Sequence, residues 1–259
     1  SLFFEKVAIV FEALVEGILP VVRGNRGSIG PGNKGIMKPD VIAPGDYVLS
    51  ASSFPGDIEK PCDDYIKCGL ASKSGSSMAT PNVAGATALI AQYFKSGKWS
   101  DKVDLDGSTM RALVINSAKH PEESLQPDLV FGHGIVDVSA VLPLENEFGV
   151  QITRQKEGEK PSIGENDHLT ATIYVKSACT LQVTLSYLDP MLHEDSPIPI
   201  TRDLDLVVVN PSGTKKVGDH LPKDTQHLST NEKVIIDVYS KGNYTIHIFS
   251  SKFFDSDLV

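Results

Sequence analysis

Gly75-Ser76-Ser77-Met78-Ala79-Thr80-Pro81 runs straight into a stretch of small residues, Pro81 to Phe94, that includes Ala84, Gly85, Ala86 and Ala88. The composition predicts a helix there, beginning beside Ser77 and buried, because small side chains let backbones approach closely. A hydroxyl at a helix N-terminus lies among free N–H groups and at the positive end of the dipole, surroundings that favour an oxyanion. The chemistry this suits is acyl transfer. Gly75 allows another chain to come near, Ala79 leaves room, and Pro81 suits a first helical turn. Serines that merely cap the helix are the alternative. A serine nucleophile also needs an adjacent base, which in turn needs an orienting group.

The stretch before Ser77 contains no histidine; the first in the chain is His120, which precedes Pro121 and is expected in a surface turn. His133 sits between Gly132 and Gly134, while His168, His193, His220, His227 and His247 fall in the later part of the chain, where solvated or edge positions are the default. Asp203 and Asp205 are two apart on an expected strand and so share a face. Calcium takes such carboxylates, but two are too few to define a site, and an acidic solvated face is the plainer reading. Cys62 and Cys68 share one polar loop and either close a small ring or stay as thiols; Cys179 lies in a strand pattern. Asn243-Tyr244-Thr245 is a glycosylation sequon of a kind that also arises by chance.

Around the serine, Phe3, Val7, Val10 and Leu14 recur at helical spacing, with Gly17 as a stop. Ile18 to Val22 reads as a short buried strand, Arg23 to Lys38 as a glycine-rich loop, and Pro39 to Gly45 as a second short strand. Ser50 to Ser74 is a polar loop region. Ser108 is placed to N-cap a helix from Met110 to Ala118. Beyond about residue 146 the texture changes. Leu169–Val175, Leu181–Tyr187, Leu204–Val209, Val234–Val238 and Tyr244–Phe249 are short, β-branched and partly alternating, with turns between them and no helical stretch. That pattern indicates an all-β sandwich or barrel. The polar run Gln155 to Lys160 reads as a linker.

The 259 residues, 41 % apolar and 22 % charged, are ordinary for a globular chain with a buried core. A net charge of −9 disfavours nucleic acid and anionic membrane as partners. No stretch is long and apolar enough for a membrane span. The opening segment carries Glu5, Lys6, Glu12 and Glu16, so it does not read as a signal peptide. The start without Met reads as a fragment or a mature product.

Gly75 to Pro81 resembles the serine signature of the subtilisin-like serine proteases (subtilases), with Ser76 where the family usually has Thr. Lys38 to Gly45 resembles the strand before the nucleophile, Ala112 to Ala118 the helix after it, and Gly132 to Ala140 the segment closing the domain. Asp203 to Val209 and Leu185 to Pro190 are similar to the jelly-roll domain that follows some subtilases. The resemblance implies an α/β fold: residues 1–145 as the C-terminal part of a parallel-sheet catalytic domain, and 146–259 as an antiparallel, jelly-roll-like β-sandwich. It implies serine endopeptidase chemistry on protein or peptide substrates, Ser77 as nucleophile, and no required cofactor, with structural calcium common in the family. It further nominates Asn25 as a side-chain donor to the oxyanion, in a Gly24-Asn25 turn where Arg23 replaces the usual Ala; a turn residue in a glycine-rich loop is the alternative. The family's chain order is Asp, His, Ser, so both partners of Ser77 should precede it. Neither is found, and the expectation is that this chain alone is inactive, its Asp and His supplied by an upstream protease segment. A catalytically dead, protein-binding derivative is the rival reading. The sequon and the resemblance lean towards a secreted or endomembrane protein.

Overall fold

The structure, a computed structural model, describes residues 7–14, 27–52, 69–97, 102–121, 127–143, 149–154, 163, 167–189, 199–219 and 229–253. Its strands are β1 (Val7–Leu14), β2 (Val48–Ala51), β3 (Leu70–Lys73), β4 (Ala118–Lys119), β5 (Ile135–Val136), β6 (Gln151–Arg154), β7 (His168–Val175), β8 (Cys179–Tyr187), β9 (Arg202–Val209), β10 (Lys215–Val217), β11 (Asn231–Val238) and β12 (Gly242–Phe253). The helices are α1 (Ser76–Lys95) and α2 (Gly107–Ser117).

Two four-stranded antiparallel sheets, ordered β11-β8-β1-β6 and β10-β9-β12-β7, dominate the later half of the chain. Alternation along β9 and β12 sends Leu204, Leu206, Val208, Tyr244, Ile246 and Ile248 inward. They meet Leu181, Val183, Leu185, Val234 and Val238 of the other sheet in one apolar core. All five strands expected after residue 146 are present. β6 and β10 are added to them, and the polar run Gln155 to Lys160 lies outside the described residues.

Residues 7–14 are a strand, not the helix their spacing suggested. β1 pairs antiparallel with β8 through Val7↔Tyr187 to Leu14↔Thr180, and with β6 on its other side. The segment reads Val-Ala-Ile-Val-Phe-Glu-Ala-Leu, and an apolar run of this length, broken only by Glu12, suits a central strand as well as a helix face; Val7, Ile9 and Val10 are β-branched and favour the strand. The strand expected at Ile18–Val22 lies outside the described residues.

β8 is buried on both faces. Leu181, Val183, Leu185 and Tyr187 enter the sandwich core, while Gln182, Thr184 and Ser186 are buried on the opposite face. There Asn116 Nδ2 of α2 donates to Thr184 Oγ1 (2.9 Å), and Ser186 Oγ donates to Asn231 Oδ1 (2.8 Å). α2 therefore packs against the sheet. Its N-cap is Asp106, whose Oδ1 accepts from Thr109 N at 2.9 Å and from Ser108 Oγ at 2.8 Å. The expected cap, Ser108, is instead buried inside the first turn.

A second core joins the two helices: Ile90, Tyr93 and Phe94 of α1, Ala112, Leu113 and Val114 of α2, and Val141, Leu142 and Val150. The α/β character rests here. Every ladder among the described residues is antiparallel, and the parallel sheet that was expected survives only as an isolated parallel bridge between Ile42 and Ile135. No helix among the described residues is long and apolar enough to cross a membrane.

Candidate functional site

α1 begins at Ser76, earlier than its apolar pattern suggested, with Gly75 (φ 150°) as its N-cap. That φ is one L side chains rarely adopt, so a glycine is required at the turn into the helix. Gly75 N donates to Gly45 O (2.7 Å), and a Cβ on Gly45 would lie 2.8 Å from Gly75 O. The strand-like segment ending at Gly45 thus presses directly on the turn ahead of Ser77. Asn82 Nδ2 donates to Pro44 O (2.7 Å), a second tie between the helix and this segment, where the strand expected from Pro39 to Gly45 is reduced to the isolated bridge at Ile42.

Ser77 lies in the first turn of α1 and is exposed. Its backbone N–H precedes the point at which helical N–H groups find an acceptor four residues back, so it is free to bind an anion. Pro81 lies a turn further in than expected. Its missing N–H leaves the carbonyl of Ser77 without the bond it would otherwise accept. An open cleft of about 440 Å³ runs past the side chain, lined by Tyr47, Ser72, Lys73, Ser74, Ser77 and Met78. The arrangement is a solvent-reachable hydroxyl at the positive end of a helix, in a groove. It can stabilise an oxyanion; it cannot by itself remove the hydroxyl proton.

None of the residues lining the cleft is a histidine. His120 is buried, not in a surface turn: its Nε2 lies 3.2 Å from Asp128 Oδ2, and its ring meets Phe131 edge-on. His133 is also buried, its backbone N–H donating to Asp40 O (2.9 Å). Burial, then the nearby Lys233 charge, lowers its pKa to about 3, and its Nδ1 has no hydrogen-bond partner among the described residues. The glycines on either side of it are there for packing. At Gly132 and Gly134 (φ 59° and 111°) a Cβ would lie 2.1 Å from Pro39 O and 2.2 Å from Lys119 O. Asp40 bridges Lys38 and Arg111. Burial pushes its carboxyl up, but the two cations outweigh that and hold it below its ordinary value.

α1 is less buried than its small residues predicted. Ile90, Tyr93 and Phe94 are enclosed, but Ala84, Gly85 and Ala88 are exposed and Leu89 is 55 % exposed. Its fully enclosed residues lie in its C-terminal half, while Ala84, Gly85 and Ala88 meet no close packing from the described elements. Asn25, Cys62, Cys68, His193, His220 and His227 lie outside the described residues. Asp203 and Asp205 share the outer face of β9, half-buried, and no group of three metal-ligating side chains occurs among the described residues. Cys179 is a half-buried free thiol whose pKa burial raises, and Asn243 is exposed. His168 and His247 do sit at the sheet surface, ringed with Phe249.

Sequence reasoning missed Tyr47 and Lys73, which reach the Ser77 groove from beside β2 and from β3, and the group formed by part-buried Asp219 and Glu232 with buried Lys233. Ser50 to Ser74, expected as a polar loop region, is strand at Ser50–Ala51 and Leu70–Lys73, and the groove depends on contacts between distant segments that carry no local pattern.

The subtilase family model matches residues 24–134. Relatives include the serine protease/ABC transporter B family protein tagD of Dictyostelium discoideum, 38 % identical over 36 % of this chain and 6 % of its own length. Subtilisin-like protease SBT2.6 of Arabidopsis thaliana is 37 % identical over 35 % of this chain and 10 % of its own length. The Dictyostelium tagA protein aligns over 70 % of this chain at 25 % identity, and over 11 % of its own length. The chain thus spans a small part of the relatives it matches.

Proposed function

We propose that this chain, whose residues 24–134 match the subtilase family model, carries the nucleophile portion of a serine endopeptidase, with Ser77 as the attacking residue. One observation supports the assignment above others: Ser77 is exposed in the first turn of α1 and lines an open cleft. In this reading Ser77 Oγ bonds to the scissile carbonyl carbon while its proton passes to a base. The C–N bond then breaks, the amine leaves with that proton, and water hydrolyses the acyl-serine. The Ser77 N–H and the Asn25 side chain hold the oxyanion; a donor of this kind is worth about 10²–10³ in turnover. The base and its orienting Asp come from a segment outside this chain.

The catalytic portion in this proposal is 1–145, with β1 inserted into the neighbouring sheet, and 146–259 is a jelly-roll-like sandwich. The substrate is protein or peptide, and no cofactor is needed. Lacking Asp and His, the chain alone retains only what oxyanion binding supplies, about 10³–10⁴ over the uncatalysed reaction, far below protease activity. The absence of an imidazole from the cleft lining also favours a second reading, a protein-binding module without turnover.

A fluorophosphonate probe tests both. The isolated chain should label poorly at Ser77, and robust labelling there would defeat the incompetence argument. Labelling restored by a subtilase segment that carries the Asp and His supports the enzyme. If Ser77 stays inert in that mixture, the binding module stands.

A further inference from the structure

The Ser77 cleft has a charge of one sign. Among its described lining residues, Lys73 is the single charged side chain and none is a carboxylate. Lys73 ends β3 opposite Val48, is exposed, and has no ion-pair partner among the described residues. Tyr47 stands across from it in an unusual way. Its φ of 50° is in the left-handed region, its N–H donates to Ser74 Oγ (2.9 Å), and the residue is 81 % exposed. A tyrosine so exposed adds little to folding stability, and a strained backbone that holds it beside a groove points to a use for its ring or hydroxyl.

We propose that Lys73 and Tyr47 make the Ser77 cleft selective for a peptide carrying an acidic side chain next to the bond held at Ser77. The inference rests on Ser77 being the residue that meets substrate. The ammonium of Lys73 and the phenol O–H of Tyr47 both donate to a carboxylate, and no acidic group in the lining competes for them. The hydroxyls of Ser72 and Ser74 leave the groove polar on the same side. A basic peptide residue would face an unpaired like charge. The chain as a whole is at −9 and repels acidic peptides from afar, so the preference is local, and comparing variants at one salt concentration removes the distant contribution. For exposed charges in water the preference amounts to about two- to fivefold in affinity.

The test is an NMR titration of the isotope-labelled chain with three end-blocked peptides that differ at one position, Glu, Gln or Lys. The Glu peptide should shift the Ser74 and Ser77 amides with a Kd about two- to fivefold below that of the Gln peptide, and the Lys peptide should bind weakest. Lys73→Met should erase the Glu preference, and Tyr47→Phe should reduce it. Both side chains are exposed, so the fold is retained, and matching amide spectra check it. Equal Glu and Gln affinities with Ser77 still perturbed would overturn the selectivity while leaving the nucleophile assignment intact; Lys73 would then only guard the free edge of a two-stranded sheet. If no peptide perturbs Ser77, the reading of the cleft falls, and the inference with it.

Discussion

Lys233 of β11 reaches the C-terminal end of α2, where its Nζ donates to Ala118 O at 2.7 Å. It also donates to Asn116 O (3.0 Å) and Ile115 O (3.2 Å). The last carbonyls of a helix lack intrahelical donors and carry the negative end of the dipole. A strand late in the chain thus supplies the cation that closes a helix in the serine-bearing part. Arg111 acts along the same seam, with NH1 on Thr230 Oγ1 and NH2 on Asp40 Oδ1.

Removing that cation should therefore loosen α2. Lys233→Met keeps most of the side-chain volume but leaves buried carbonyls unpaired. A loss of about 1–3 kcal/mol is expected, read as a lower urea midpoint, with faster amide exchange in the last turn of α2. An unchanged midpoint would mean that the ammonium contributes nothing net.

Two part-buried acids beside Lys233 make stability depend on pH. Asp219 Oδ1 accepts from Lys233 N (2.9 Å), and Glu232 accepts from Leu206 N. Burial above all raises both pKa values. Asp219 goes from 3.8 to about 7, and Glu232 goes well above its usual value, with Asp219, Asp205 and Asp203 adding to the rise. A folded pKa raised above the unfolded one gives stability that is complete below about 3.8 and is lost as pH climbs towards about 7. His133 works in the opposite sense, because its folded value near 3 lies below 6.5 and its contribution grows over that interval. The two overlap, so the informative quantity is a difference between variants. Asp219→Asn keeps the acceptor for Lys233 N and cannot ionise. Relative to wild type it should gain urea stability steadily from about pH 4 to about pH 8. A difference that stays flat across that range would show Asp219 is not the titrating group.

Much of the site was readable from local pattern because its causes are local. Glycine at a turn with φ near 150° and a serine followed by a long run of helix formers are short-range facts, so the position of Ser77 at the start of a helix could be read directly. β7, β8, β9, β11 and β12 were legible for the same reason, since alternation reports one buried face, whereas the three-residue β10 is too short to show it. β1 misled because its apolar residues do not alternate with polar ones, so its pairing with β8 and β6 left no period-two mark in the sequence. Lys233, Asp219 and Glu232 could not be found from sequence: each looks like an ordinary surface charge until β11 is set between α2 and the other sheet.

The start of α2 gives a sharper local test. Asp106 accepts from Thr109 N, while Ser108, the better match to a capping pattern, only donates to Asp106. Asp106→Ala should cost about 0.5–2 kcal/mol by thermal or urea unfolding. Ser108→Ala should cost less, since Asp106 keeps its bond to the helix. The reverse order would move the cap to Ser108.

Two glycines near Ser77 should respond in opposite ways to the same methyl group. At Gly45 the added Cβ would meet Gly75 O at 2.8 Å and Ala79 Cβ at 3.0 Å, backbone and helix atoms that cannot swing aside. Gly45→Ala should thus push the Gly75 turn outward, cost about 1–3 kcal/mol, and shift the Ser76 and Ser77 amides. At Gly85, inside α1, a Cβ meets nothing within 4 Å. Gly85→Ala relieves the entropic cost of glycine in a helix and should add about 0.5–1 kcal/mol. Urea midpoints with amide spectra decide both. A destabilised Gly85→Ala would show that something packs closely on that face of α1, and a silent Gly45→Ala would show that the extended segment ending at Gly45 does not set the position of the serine.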